Sequence, residues 1–151
     1  MMKKFSFSLQ KILEIKEQVL DNLKVEMGNL NRELSTVEQQ IKNLKTEFKQ
    51  LNDEFVEKCA VSVSVGEMTY YKMYMDNVLK QTEKKEEEKN IILKKIESKR
   101  HEIINANMEI SSLEKLKENE LEKYKKAFMK SEEIFIDEFV SNKSILNKYA
   151  M

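Results

Sequence analysis

Between Leu30 and Phe55 the apolar residues fall at Leu30, Leu34, Val37, Ile41, Leu44, Phe48, Leu51 and Phe55, in steps that alternate between four and three. The residues between them are nearly all polar or charged, among them Glu38, Lys42, Lys45, Glu47 and Lys49. This is an a/d seam. It covers too narrow an arc to bury a helix in a globular core, and it fits a second helix lying alongside, knobs into holes. The fold of the chain therefore turns on whether it supplies that second helix itself.

The sequence contains no proline and only two glycines in 151 residues. Proline inside a helix costs ~3 kcal/mol, so its absence over such a length is the mark of long, uninterrupted helices. A hydrophobic content of 40% at regular spacing is too high for a disordered polar tail. The 27 basic and 27 acidic residues cancel and form no clustered basic face, which argues against a nucleic-acid binder. Charges of both signs spread along a helix instead predict a solvated face with i,i+4 pairs. No apolar run reaches the ~20 residues needed to span a bilayer. The basic start, with Lys3 and Lys4, leads into no apolar signal core. Cys59 is the only cysteine, so no internal disulfide can form, and a cytosolic protein is expected.

Taken in order, the first helix is expected from about residue 6 to 58, capped by Ser6 or Ser8. Leu9, Ile12, Val19 and Leu23 predict its first seam, with Lys16 at a seam position. A stutter is expected between Leu23 and Leu30, where Met27 follows Leu23 by four, with a gentle bend beside Gly28. Residues 59–67 (CAVSVSVGE) lose the helical period and predict a connecting loop. A loop of that length suits a reversal between antiparallel helices. The second helix is expected from about 68 to 147. Its seam opens with Tyr71, Met75 and Val78, and lapses through the charged run 80–90. It resumes at Ile92, Ile96, Ile103, Ala106, Ile110 and Leu113, and shifts phase between Leu116 and Leu121. In the charged run, lysine stems are expected to cover the seam, a hinge or docking surface being the sharper alternative. The fold class expected is all-α, an antiparallel two-helix coiled-coil hairpin with a long second helix, as one domain over 1–151. Folding back at the loop predicts a paired part of about 75 to 85 Å. The final residues are left as an overhang carrying Phe128, Ile134, Phe135 and Phe139, with Ile145, Leu146 and Tyr149 beyond. Exposed apolar surface of this kind marks an interaction site.

Catalytic chemistry has no foothold in the sequence, so no enzyme, cofactor or metal is expected. There is no phosphate-binding GxxxxGK[ST], and a single histidine, His101, cannot build a triad or a two-histidine metal site. Adjacent carboxylates such as Asp137 and Glu138 point to different faces of one helix. The start of the second helix does stand out, since Met68–Met75 holds three tyrosines and three methionines. Tyr71, Met75 and Val78 serve the seam, leaving Tyr70, Tyr74 and Met73 directed elsewhere, and tyrosine suits interfaces.

Three segments together resemble one family. Phe5, Phe7, Leu9, Gln10 and Leu13 match the opening F-x-F-x-L-Q-x-x-L of FliJ, the flagellar export protein. The tyrosine-rich start of the second helix and the segment from Leu113 to Glu118 resemble the same family. So do Ile136, Asp137, Glu138 and Phe139, where the family carries a D-E pair. The resemblance implies a hairpin similar to part of the central stalk of rotary ATPases. It also implies a role in the flagellar type III export apparatus: promoting assembly of the hexameric export ATPase, linking it to the membrane export gate, and handling export chaperones. Phe5, Leu9, Gln10, Leu13, Asp137 and Glu138 are the ATPase-facing residues it implies; Tyr71, Tyr74 and Val78 are those for the gate. Such a protein would be cytoplasmic, held at the inner face of the membrane at the flagellar base through protein partners only. The competing expectation is a generic coiled-coil scaffold or tether that acts by homodimerisation. A third is an export chaperone that sheathes an apolar substrate segment with the overhang.

Overall fold

The computed structural model describes residues 3–149, with side chains to residue 147. Met1, Met2 and the side chain of Tyr149 lie outside the described residues. The fold is all-α: α1 runs Gln10–Val61 and α2 runs Val65–Tyr149, 52 and 85 residues long, packed as a helical hairpin. The chain divides into two compact units, one formed by residues 3–20 with 105–149, the other by Asp21–Ile104.

In the Asp21–Ile104 unit the chain reverses through residues 62–64 alone. The expected loop at 59–67 is therefore largely helical, and Ser64 supplies the N-cap of α2. The Glu67 amide donates to Ser64 Oγ at 3.1 Å and the Met68 amide to the Ser64 carbonyl at 3.0 Å. On the other side the Ser62 amide still reaches the Lys58 carbonyl at 3.0 Å, carrying the helical bonding of α1 to its end. Gly66 lies inside the first turn of α2, and neither it nor Gly28 has a positive φ. Ser64→Ala is expected to lower the unfolding free energy by about 1 kcal/mol, read from the urea midpoint.

The seam of this unit joins α1 to α2. Val37 and Ile41 pack with Ile92 and Ile96 in a buried cluster, with Met27, Leu30 and Leu34 against it. Phe55 meets the Tyr71 ring at 5.6 Å between centroids. The partner required by the Leu30–Phe55 seam is thus intramolecular.

Two expectations about α1 need correction. Its buried and half-buried positions are Leu13, Lys16, Leu20, Leu23, Met27 and Leu30 onward, in steps of three and four with no insertion. There is no stutter at Leu23, and α1 passes Gly28 unbroken, because the phase set by Ile12 and Val19 is not the one that packs. Both are exposed. The start is also later than the serines: the Gln10 amide bonds the Phe7 carbonyl (3.1 Å) and the Leu13 amide the Leu9 carbonyl (3.0 Å), placing Leu9 at the cap. Phe7 is buried, so burial of the leading segment decides where the helix begins.

On α2 the seam steps from Tyr71 through Met75, Val78, Thr82, Lys85, Lys89, Ile92, Ile96, Lys99 and Ile103, all buried or half-buried. Thr82 satisfies itself on the Val78 carbonyl at 2.9 Å. The lysine stems cover the seam while their ammonium groups reach carboxylates: Lys85 to Glu88 (3.2 Å), Lys89 to Glu38 (3.9 Å), and Lys99 to Glu26 and Glu102. The neighbouring Glu26, and then Glu102, raise the Lys99 pKa above its ordinary value. Partly exposed ion pairs of this sort contribute little, whereas leucine stems would add apolar burial. Lys85→Leu combined with Lys89→Leu is expected to stabilise the unit by on the order of 1 kcal/mol, seen as a higher melting temperature.

In the other unit, Leu13 and Leu20 of α1 and Ala106 and Ile110 of α2 are the buried apolar positions, with Phe7. Lys16 pairs with Glu109 at 2.7 Å and Lys117 donates to Gln10 Oε1 at 2.8 Å. The phase shift expected near Leu116 is present: after Lys117 the half-buried positions are Leu121 and Tyr124, a step of four following another four.

Candidate functional site

The candidate surfaces lie one on each unit. In the unit that holds the leading segment, Tyr124 is the anchor. Its ring lies 5.5 Å from that of Phe5, stacks on Phe128 at 6.3 Å, and its hydroxyl donates to the Lys3 carbonyl at 2.7 Å. Of the residues expected to face the ATPase, Leu13 is buried and Phe5, Leu9 and Gln10 are half-buried in this packing. Asp137 and Glu138 are exposed and lie thirteen residues beyond Tyr124, roughly 20 Å along the helix. The structure does not bring them together with Phe5. From Phe128 onward α2 is exposed throughout its described side chains, including Phe128, Ile134, Phe135 and Phe139 as expected for the overhang, together with Met129, Ile136, Val140, Ile145 and Leu146.

At the start of α2 the expected gate-binding residues divide. Tyr71 and Val78 are only 7% and 3% exposed, held in the seam against α1, and Lys58 sits over the Tyr71 ring at 5.3 Å. Tyr74 is exposed and donates its hydroxyl to Glu47 Oε1 at 2.8 Å. That carboxylate favours the protonated phenol and raises the Tyr74 pKa above 10.0. The solvent face is made by Tyr70, Met73 and Tyr74, with Tyr70 and Tyr74 rings 6.1 Å apart. Tyr70 and Met73 are the additions here, and their signal in the sequence was their position off the seam phase.

No group of three or more metal-ligating side chains converges among the described residues, and His101 pairs only with Glu97, at 3.3 Å on the exposed face of α2. Cys59 is exposed near the end of α1. No helix among the described residues is long and apolar enough to cross a membrane.

The FliJ family, described as Flagellar FliJ protein, matches residues 5–148. The chain belongs to the FliJ family. No curated protein and no solved structure matches it significantly. Membership makes the chain a component of flagellar type III export, in a family whose members are non-catalytic. The family match begins at Phe5, which packs on Tyr124, and it takes in both the tyrosine face and the exposed phenylalanines.

Proposed function

We propose that this FliJ-family chain acts as a non-enzymatic stalk of the export apparatus. It promotes assembly of the hexameric export ATPase, links that ring to the membrane export gate, and receives export chaperones. The observation that carries this reading is the family match across 5–148, which includes every surface just described. The exposed apolar face from Phe128 to Leu146 and the acidic Asp137–Glu138 pair serve the ATPase, together with the leading segment that carries Phe5, Leu9, Gln10 and Leu13, of which Phe5 packs on Tyr124. Tyr74 meets the gate together with Tyr70 and Met73, while Tyr71 and Val78 support them from the seam. The protein works in the cytoplasm and is held at the inner membrane face by protein contacts. Long packed helices suit this task, because they pass force or orientation between partners without reacting themselves.

The test is to add the purified protein to the cognate export ATPase at physiological salt. Hexamer formation and ATP hydrolysis should both rise, and a deletion strain should lack flagella. Absence of binding and stimulation, with a normally flagellated deletion, would overturn the proposal.

A further inference from the structure

Four large apolar side chains on the far part of α2 form one stripe: Phe128, Phe135, Phe139 and Leu146, respectively 43%, 66%, 61% and 69% exposed. At about 100° per residue they fall within a sector of roughly 40°. This sector continues the face on which Leu121 and Tyr124 pack in the same unit. The seam therefore runs on past the point where the described leading segment covers it.

The spacing of the stripe is seven, four, seven, which reads the same in either direction. A two-fold contact between identical helices requires this property, since residue i must meet j while j meets i. We propose that the stripe pairs with that of a second copy of this chain, antiparallel, about an axis at Asp137. Phe135 then meets Phe139 of the second copy and Phe128 meets its Leu146, each contact occurring twice. In an antiparallel pair like edges face one another. Glu132 and Lys143 lie on the same edge of the stripe, at nearly equal distances on either side of the axis, so the register also forms two Glu132–Lys143 ion pairs. Ser131 and Asn142 meet on the other edge. Asp137 points away from the contact. Glu138 lies by the axis and approaches its own copy, which keeps the pairing weak and reversible.

The pairing does not depend on the proposed stalk role, but it covers the face assigned there to the ATPase. Self-association and engagement of the ring therefore exclude each other, and dimerisation becomes a storage form of the unengaged protein.

Sedimentation equilibrium of the full chain, from roughly micromolar to millimolar concentration, tests the pairing. The average mass should climb from 18.0 kDa towards twice that value. Phe135→Asp with Phe139→Asp should hold it at the single-chain mass with unchanged circular dichroism, because both residues are exposed. Glu132→Lys and Lys143→Glu should each weaken association by roughly fivefold, and their combination should restore it. A single-chain mass throughout would overturn the proposal. So would a dimer indifferent to the phenylalanine changes, as in pairing through other seams, or a charge-swapped double variant no tighter than the singles.

Discussion

Ile41→Ala and Ile96→Ala are each expected to lower the unfolding free energy by about 2–4 kcal/mol, measured by urea denaturation followed at 222 nm. Both belong to the buried cluster with Val37 and Ile92, which joins α1 to α2 with a single layer of side chains. A thin seam has few neighbours that can collapse into the vacated space, so the lost transfer energy is joined by a cavity term. Against a typical total of ~5–15 kcal/mol, one such loss brings the unit near its limit. The two changes share a cluster and should not be additive. Ile104→Ala is the control: Ile104 is exposed in the same unit, and its replacement should cost less than about 0.5 kcal/mol. Equal losses at Ile41 and Ile104 would show that the cluster is not the source of stability.

Ending the chain after Lys126 should leave a folded protein with no activity towards the export ATPase. The cut removes Phe128 and the exposed stretch beyond it but retains Tyr124, with its contacts to Phe5 and Lys3, and all the buried positions. Its melting temperature should fall by no more than a few degrees, since side chains exposed in the native state lose little on removal. Stimulation of ATP hydrolysis should fall to the basal rate, and a strain carrying the truncation should not swim. A truncated chain that still stimulates would move the ATPase contact to the leading segment, Phe5 to Leu13.

The a/d spacing from Leu30 to Phe55 was legible because a period of three and four identifies a packing face without reference to the partner. The same logic correctly set Tyr70, Met73 and Tyr74 apart from Tyr71 and Val78. It failed where two phases compete. Near the start of α1, Ile12, Ile15 and Val19 are as apolar as Leu13 and Leu20, and only contact with α2 selects the second set. It also passed over Lys99 and Lys117 as seam positions, because a lysine stem can cover a seam that its charge conceals. Composition misleads at the turn: the valines and serines of 59–67 are weak helix formers, yet Ser64 caps α2 by accepting the Glu67 amide and helix occupies all but residues 62–64.

By itself, the sequence determined that this protein is helical, that its helices need one another, and that its family is FliJ. These are properties of local propensity, periodicity and motif order. Tertiary structure alone decided which of two overlapping apolar stripes is buried, where α1 begins, and which members of the implied contact sets remain available to a partner. Burial is a relation between segments distant in the chain: Leu13 and Tyr71 are occupied because the opposite helix covers them, while Phe135 and Tyr74 remain at the surface.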